Sequence, residues 1–385
     1  MHRMWSDGRW NKLTMAHGCY WGKCTFCDIS LDYIKNYEAS SAELIVDRME
    51  QLIEQTKERG FHFVDEATPP ALMKAVALEI LKRRLVVTWW TNIRFEKSFH
   101  FDLCRLLAAS GCVAVSGGLE VASDRLLKLI DKGVTVEQVT QVNDNFTKAG
   151  IMVHAYLMYG FPTQTDQETI DSLEVVRQMF EAGVMQSGFW HRFAMTAHSP
   201  VGIAPAEFKV SVVDPIEGTF ANNDLEHLDP EGGDHLKFSA GLKKSLYNYM
   251  HGVGLDFVLQ EWFDHKVPTT THSPNLIEKY LERPRRREVK SRTPILWIGG
   301  PVELWQENKK KNQLIIYDKE TRKVAIDRKI GEWLAPLLNK MKSQCLSISY
   351  KDFQLSYEKA GLSDFTLFWY GTEMEALKER GLLQL

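Results

Sequence analysis

The sequence lacks any apolar run near the roughly 20 residues that a membrane-spanning helix needs. Its first residues, MHRMWSDGRWNKL, contain no apolar signal core. We therefore predict no membrane association and a cytoplasmic location. The chain also has no excess charge of one sign, since 47 lysines and arginines stand against 50 aspartates and glutamates. This balance argues against a dedicated nucleic-acid coat or membrane-surface protein.

Cysteine is scarce, with six residues in 385, and this number and scatter exclude a disulfide framework. No second C-x2-C pair accompanies the first, and no GxGxxG or Walker pattern follows a predicted strand, so NAD and ATP are not predicted. Half of the cysteines nevertheless lie in one segment, 17-HGCYWGKCTFCDIS-30. In a reducing compartment such a group indicates thiols or thiolate ligands.

Short apolar runs alternate with helix-period segments over the first half of the chain. This alternation predicts a parallel α/β sheet with right-handed crossovers, either doubly wound or closed into a partial barrel. Both architectures place chemistry at the C-terminal ends of the strands. The predicted strands lie at 12–17, 61–65, 86–90, 112–117, 151–158 and 187–195, and the predicted helices at 42–59, 135–149 and 165–182. Thr165, three residues before Glu168, predicts a capping box on the last of these helices.

Composition divides the chain into three predicted parts. Residues 1–202 form the core, and residues 203–292 form a loop-rich and helical extension that ends in the basic linker 283–292. The helical part of this extension is predicted at 241–263. Residues 293–385 form a small α+β module, either winged-helix-like or a hairpin with helices, with predicted strands followed by helices at 330–341 and 373–385.

Cys19, Cys24 and Cys27 follow the first predicted strand with the spacing C-x4-C-x2-C. A zinc site would need a fourth protein ligand, for which His17 or Asp28 is available. A cubane iron–sulfur cluster with three cysteines would leave one iron open for a further ligand. The third reading is a group of buried thiols without a metal.

The segment GCYWGKCTFC resembles the cluster loop of the radical S-adenosylmethionine (radical SAM) superfamily, in which an aromatic residue precedes the last cysteine, as Phe26 does. It departs from the usual spacing by having four residues instead of three between the first two cysteines. The resemblance covers roughly residues 10–202 and extends to motifs at the ends of later strands. These motifs are 63-FVDEA-67, 91-TNIRFEK-97, 116-SGGLEVASDRLL-127, 156-YLMYGFPTQT-165 and 198-HSPVG-202.

The resemblance implies an α/β fold with a partial (β/α)6 TIM-like barrel and a C-terminal α+β accessory region. It also implies a 4Fe–4S cluster on Cys19, Cys24 and Cys27 whose fourth iron is chelated by S-adenosylmethionine (SAM). Reductive cleavage of SAM would yield a 5′-deoxyadenosyl radical that abstracts hydrogen from an unidentified substrate, for methyl transfer or rearrangement. The cofactor-binding candidates are Phe26, Asp65, Glu66, Arg94, Gly117, Gly118, Glu120 and Ser123.

Several of these candidates have ordinary structural readings. Asp65, Glu66 and Arg94 would equally form an ion pair at the mouth of the strands, and Ser123 would equally cap the following helix. Tyr156, His191 and Arg192 are the substrate-side candidates, because alternate residues of strands five and six face the barrel lumen. Core packing is the competing interpretation for the aromatic and histidine side chains there.

The implied partners are a reductant protein such as flavodoxin or ferredoxin and a small-molecule or peptide substrate, without nucleic acid. The sequences of these motifs are similar to those of the cobalamin-associated branch of the superfamily, so cobalamin is a candidate cofactor. Only about a dozen residues precede strand one, which leaves no room for an N-terminal cobalamin-binding domain in this chain. The chain is then a fragment, receives cobalamin from elsewhere or does not use it. The alternative function is a zinc- or Fe–S-containing binding or electron-transfer protein that does not cleave SAM.

Overall fold

The computed structural model describes residues 10–213, 223–285, 287–306, 311–318 and 320–385. The chain divides into two compact units. The first comprises the residues up to Val76 together with Val87–Phe101 and Gly111–Arg283, and the second comprises Ala77–Val86, Asp102–Ser110 and Pro284–Leu385. The three-part division expected from composition stays a prediction.

The first unit contains a six-stranded parallel sheet in which every strand pairs with its neighbours in chain order. A parallel sheet ordered in this way is the arrangement of (β/α) barrels, so the predicted α/β class and partial-barrel architecture are confirmed. The strands are β1 (Asn11–Leu13), β2 (Gly60–Phe63), β3 (Thr88–Ile93), β4 (Cys112–Glu120), β5 (Met152–Tyr159) and β6 (Ser187–Arg192).

The first strand is shorter than the predicted 12–17, because the chain leaves the sheet after Leu13. The buried carboxylate of Asp65 accepts hydrogen bonds from the backbone amides of Met15 and Ala16, at 2.9 and 2.7 Å. These bonds satisfy amides that a continued parallel strand would have paired. Ala16–His17 then forms a separate two-residue strand that pairs antiparallel with Glu38–Ala39.

Helices connect the strands and carry the predicted apolar faces. In the helix Val136–Lys148, for example, Val139 and Phe146 are fully buried. The helices up to residue 283 are Asp32–Lys35, Ala42–Thr56, Pro70–Lys82, Phe101–Ala109, Asp124–Leu129, Val136–Lys148, Asp166–Glu181, Pro200–Ile203, Ser239–Tyr249 and Leu276–Glu282. No helix in the described part of the chain is long and apolar enough to cross a membrane.

The capping box predicted at Thr165 is present. The Thr165 hydroxyl accepts from the amide of Glu168 at 3.2 Å, and the Glu168 carboxylate accepts from the amide of Thr165 at 3.1 Å. We expect Thr165→Ala to lower the free energy of unfolding by about 1 kcal/mol, the usual cost of losing such a cap. Urea unfolding followed by circular dichroism measures this cost. The control is Thr372→Ala, an exposed threonine that opens a helix without a side-chain cap at its N-terminus; equal effects of the two changes would contradict the prediction.

The predicted helix 241–263 is wrong in its second half. The helix Ser239–Tyr249 ends before Gly252 and Gly254, which both have φ of +69° and so place the backbone in a conformation that ends a helix. A 3-10 turn, Leu259–Trp262, follows. The described parts of 203–240, expected as loop, contain the short elements Pro205–Phe208, Ser211–Val212, Asp224–Leu225, His227–Leu228 and His235–Phe238.

The second unit is α+β, as predicted for the accessory region. Val302–Gln306, Lys311–Tyr317 and Thr321–Asp327 form an antiparallel sheet, and Pro294–Trp297 pairs with Ile348–Ser349 and Leu382–Gln384 in another. The helices are Arg328–Gln344, Tyr350–Lys359, Phe365–Trp369 and Thr372–Arg380. The final helix therefore stops short of the predicted residue 385, because Gly381 has φ of +126° and the last residues continue as an edge strand.

Candidate active site

A cavity of about 300 Å³ lies in the first unit at the C-terminal ends of β3, β4 and β5. The three cysteines of the predicted metal site line it together. The predicted residues among its lining are Cys19, Cys24, Phe26, Cys27, Glu66, Arg94, Gly118, Glu120 and Tyr156. Side chains that are up to 137 positions apart in the sequence are thus brought to one place by the order of the strands.

Backbone hydrogen bonds fix the cysteine loop at both ends. The amide of Cys19 donates to the carbonyl of Ile34 at 2.9 Å. The amide of Thr25 donates to the carbonyl of Ile130 at 2.9 Å, and the carbonyl of Thr25 accepts from the amide of Val201 at 3.1 Å. The loop is therefore tied to the helix after β4 and to the turn after β6, and these bonds hold the thiols at the cavity.

The thiol of Cys24 lies in a cationic environment. A hydrogen bond from the Cys27 thiol, helped by the charges of Lys132 and Arg94, outweighs burial and lowers the pKa of Cys24 to about 6. The same hydrogen bond, together with burial, raises the pKa of Cys27. Cationic groups that favour a thiolate are the usual surroundings of a metal-binding or reactive cysteine.

The donor set fits an iron–sulfur cluster better than a single ion. In the ranges that the structure describes, no three His, Cys, Asp or Glu side chains are placed to hold one metal ion. A cluster does not require such convergence, because each thiolate binds a different iron of the cubane. The three thiols share one cavity with two cations that offset thiolate charge, and this arrangement is what a cysteine-bound cluster needs.

A buried ion pair stands opposite the cysteines. The Lys132 Nζ atom donates to Glu120 Oε1 at 2.6 Å, and both side chains are less than a tenth exposed. Burial lowers the pKa of Lys132, but the charges of Glu120 and Cys24 outweigh it and raise the pKa overall. Gly118 makes room for the pair, since a Cβ atom there would lie 1.8 Å from Glu120 Oε1. Glu120 itself has φ of +57°, an uncommon conformation for a residue other than glycine.

Arg94 is buried and held from several sides. Its Nη2 atom donates to the carbonyl of Lys132, its Nε atom donates to Glu96 Oε1 at 3.4 Å, and its Nη1 atom lies 3.8 Å from Cys24 Sγ. The guanidinium also stacks 4.2 Å from the centre of the Trp21 ring. Arg94 thereby links the end of β3 to the cysteine loop, and Glu96 takes the ion-pair role that the sequence analysis considered for Asp65 and Glu66.

The structure does not place five of the predicted residues in the lining of this cavity. Asp65 binds the amides of Met15 and Ala16, and burial raises its pKa. A Cβ atom at Gly117 would meet the Phe95 ring at 2.6 Å, so this glycine serves close packing. Ser123 caps the helix Asp124–Leu129, which was its alternative reading.

His191 and Arg192 lie at the end of β6. Burial lowers the pKa of His191, and its ring centre lies 5.9 Å from that of Phe189. Arg192 is exposed. Their substrate-side role stays a prediction. Tyr156, in contrast, lines the cavity and donates to Asn92 Oδ1 at 3.4 Å.

Sequence reasoning missed Lys132, Asn92 and Ser116, which also line the cavity. Position along the strands could have found two of them. Ser116 lies two residues before Gly118 on β4 and so shares a face with a predicted site position. Asn92 lies on β3, two residues before Arg94, which directly follows that strand. Lys132 follows a helix in a loop, and no local pattern indicates that it is buried against Glu120.

A parallel sheet in chain order, with three thiols and buried charges at its C-terminal edge, defines an α/β protein with a candidate cluster-binding site. The family model of the radical SAM superfamily matches residues 13–176. That segment is a radical SAM domain, and the resemblance seen in the sequence is confirmed.

Curated relatives match 43% of this chain. An uncharacterized methyltransferase of Pyrococcus horikoshii is 25% identical over 166 residues, which are 43% of this chain and 36% of the relative. The anaerobic magnesium-protoporphyrin IX monomethyl ester cyclase of Rubrivivax gelatinosus is 28% identical over 167 residues, 43% of this chain and 29% of the relative. The match thus spans about a third of the length of these relatives.

Among solved structures, the fold is similar to that of the radical SAM methyltransferase TsrM of Kitasatospora setae, which was solved with cobalamin and a 4Fe–4S cluster bound. The two chains are 19% identical, and the TM-score is 0.49. The similarity covers 62% of this chain and 52% of that one.

Proposed function

We propose that this chain is a radical SAM enzyme that holds a 4Fe–4S cluster on Cys19, Cys24 and Cys27 and cleaves SAM reductively. The observation that carries the proposal is the single cavity in which the three thiols meet Arg94 and the Glu120–Lys132 pair. When bound, the cluster and SAM supply a radical that abstracts hydrogen from the substrate. The comparisons give no support to the zinc or electron-transfer alternative.

The polar groups at the strand ends would bind SAM. Glu120 has an acceptor oxygen besides the one bound to Lys132, and this oxygen can accept from an amine or a ribose hydroxyl. Gly118 leaves the space in which Glu120 and Lys132 pair beside the cavity. Phe26 and Glu66 line the same cavity, and Phe26 offers an apolar face. These assignments are part of the proposal.

The charged side chains at the cavity are already oriented by contacts within the protein before a ligand binds. Lys132 fixes the orientation of Glu120, and Arg94 fixes the cysteine loop against β3. The cations lower the cost of bringing thiolates together. Because the ion pair and Arg94 are already desolvated, little reorganisation is needed when the ligands bind.

The reaction outcome that we favour is methyl transfer or rearrangement, since the curated relatives are a methyltransferase and a cyclase. The substrate is a small molecule or a peptide whose reacting carbon would approach Tyr156. Radical SAM enzymes generally need a reductant, and we propose flavodoxin or ferredoxin for this role. We place the reaction in the cytoplasm, where a reducing environment keeps the cysteines available.

The experiment that tests the proposal is anaerobic reconstitution with iron and sulfide, reduction with dithionite and addition of SAM. We expect about four irons per chain, as a cysteine-bound cubane requires, and formation of 5′-deoxyadenosine. Zinc in place of iron, or iron without deoxyadenosine at low potential, would overturn it and favour the binding or electron-transfer alternative.

Glu120→Gln should weaken SAM binding and leave the cluster intact. The amide keeps the shape of the side chain and a hydrogen-bond acceptor for Lys132, but it loses the charge that strengthens a bond to a ligand amine. A hydrogen bond to a charged group is worth about 1.5–3 kcal/mol, so the dissociation constant of SAM should rise by about tenfold or more. Equilibrium binding of SAM to the reconstituted protein measures this rise. Iron content equal to that of the parent is the control, and unchanged SAM affinity would remove Glu120 from the binding site.

A further inference from the structure

The cysteine loop has four residues between its first two cysteines, one more than the usual spacing of the loop that it resembles. Two of the four, Tyr20 and Trp21, contact charged residues that follow β3. The Tyr20 hydroxyl donates to Glu96 Oε1 at 2.7 Å, and the centre of the Trp21 ring lies 4.2 Å from the Arg94 guanidinium. The longer loop thus holds an arginine and a glutamate beside the thiols.

Arg94 is the member of this pair that reaches a predicted cluster ligand. Its side chain is only 4% exposed, and its Nη1 atom lies 3.8 Å from Cys24 Sγ. Its Nη2 atom donates to the carbonyl of Lys132, and its Nε atom donates to Glu96 Oε1 at 3.4 Å. All three guanidinium nitrogens therefore have defined contacts, and a positive charge is fixed next to a thiol in a site with little water.

Trp21 cannot move away from Arg94, because its ring is fixed from two other sides. The indole N–H donates to the carbonyl of Asp131 at 2.8 Å. Gly133, with φ of +72°, packs so closely that a Cβ atom there would lie 2.4 Å from the ring. The position of the guanidinium is thus set by the loop as well as by its own hydrogen bonds.

Glu96 places a negative charge on the far side of the guanidinium. Its side chain is 25% exposed, and it is absent from the described residues that line the cavity. Burial and the hydrogen bond to Glu96 raise the pKa of Tyr20, so the hydroxyl stays protonated and continues to donate to the carboxylate. Tyr20 therefore keeps the carboxylate beside Arg94, and Glu96 can influence the thiols only through that arginine.

We propose that Tyr20 and Glu96 keep the reduction potential of the cluster low by offsetting the positive charge of Arg94. The inference rests on the proposed function, since it requires the cluster on the three thiols. Reduction adds one negative charge to the site, so a cation without a carboxylate partner would favour the reduced state and raise the potential. A low potential makes the reduced site a stronger one-electron donor to SAM. Tyr20 and Glu96 act through Arg94 and are positioning residues.

The second cation at the cavity has a carboxylate partner as well. Lys132 Nζ lies 2.6 Å from Glu120 Oε1, so both cations whose charges act on Cys24 are paired. Glu120 lines the cavity, whereas Glu96 does not. Glu96 is therefore the position at which a compensating charge can be removed without removing a group from the candidate SAM site.

The primary test measures the midpoint potential of the reconstituted chain without SAM, by a dithionite titration with mediator dyes followed by electron paramagnetic resonance. Glu96→Gln keeps the shape of the side chain and an oxygen that accepts from Tyr20, but it removes the charge. We expect the equilibrium constant for reduction to rise about tenfold, which is about 59 mV toward positive values for a one-electron couple. The matched control is Glu181→Gln, which should keep the parent's potential, because Glu181 also pairs with a largely buried arginine, Arg177, at 2.8 Å.

A second variant, Glu96→Asp, separates the charge from the assembly of the loop. It keeps a carboxylate, so its potential should lie closer to the parent's than that of Glu96→Gln does, at equal iron content. Equal potentials of the parent and Glu96→Gln would overturn this inference alone, as would shifts of the same size in Glu96→Asp and Glu96→Gln. Loss of iron from Glu96→Gln but not from Glu96→Asp would also overturn it, by assigning Glu96 to cluster assembly. Failure of the parent to form deoxyadenosine with dithionite would instead overturn the proposed function.

Discussion

Replacing Cys24 with serine is expected to abolish both cluster assembly and SAM cleavage. Cys24 is the most buried of the three thiols at the cavity, its pKa is lowered to about 6, and Arg94 lies against its sulfur. A serine hydroxyl at this position cannot supply a thiolate to iron, so one iron of the cubane would lose its protein ligand. Iron and sulfide analysis after anaerobic reconstitution, followed by a deoxyadenosine assay with dithionite, measures both losses.

The matched control is Cys345→Ser. Cys345 is a free thiol in the second unit, outside the residues that line the cavity, and should tolerate the change with full iron content. Circular dichroism of the two variants before reconstitution shows whether either change disturbs the fold. Normal iron content and activity in Cys24→Ser would refute the metal-ligand assignment and, with it, the proposed function.

Replacing Lys132 with methionine is expected to lower the free energy of unfolding by about 3–5 kcal/mol. Removing one partner of a buried ion pair leaves the other charge desolvated and uncompensated, which is far more costly than losing the attraction itself. Here the stranded charge is the carboxylate of Glu120, whose side chain is 6% exposed. Denaturant unfolding of the unreconstituted chain, followed by tryptophan fluorescence, measures the loss without any contribution from bound ligands.

The double variant Glu120→Met/Lys132→Met decides whether the ion pair explains that loss. Replacing both charges with apolar side chains of similar length should return most of the stability, because no buried charge remains. Lys128→Met serves as the control, since Lys128 is exposed on the same stretch of chain and should change stability little. Equal destabilisation of Lys132→Met and the double variant would show that the uncompensated charge of Glu120 does not explain the loss.

The strands were predictable because they are buried on both faces and therefore appear in the sequence as short apolar runs between turns. The predicted element bounds were wrong where a contact with a distant residue overrides the local hydrophobic pattern. The first strand was extended by four residues too many because nothing near Met15 indicates that Asp65, fifty positions away, takes its amide. The last helix was extended too far because a strand pairing with Ile295–Trp297 is invisible in the local sequence.

The residues of the candidate site show the same contrast between what the local sequence indicates and what distant contacts decide. Local sequence identified the cysteine loop, the glycine and glutamate at the end of β4, and the arginine after β3, because cluster loops and strand-end turns need particular residue types at fixed spacing. It did not distinguish Glu66 and Gly118, which line the cavity, from Asp65 and Gly117, which have structural contacts one residue away. A strand alternates its side chains between two faces, so the register of the sheet decides between Gly117 and Gly118. Asp65 and Glu66 lie beyond the end of β2, and the bonds of Asp65 to the amides of Met15 and Ala16 decide between them.

By itself the sequence determined the class of fold, the three thiols and the radical SAM resemblance, since these depend on periodicity and on residues close together in the chain. Only the tertiary structure decided that Lys132 is buried against Glu120, that Arg94 touches Cys24, and that Trp21 joins Arg94 to an exposed lysine. The physical reason is that these contacts join residues from separate loops. Their energies depend on distance, burial and the absence of water, and packing of the whole unit sets all three.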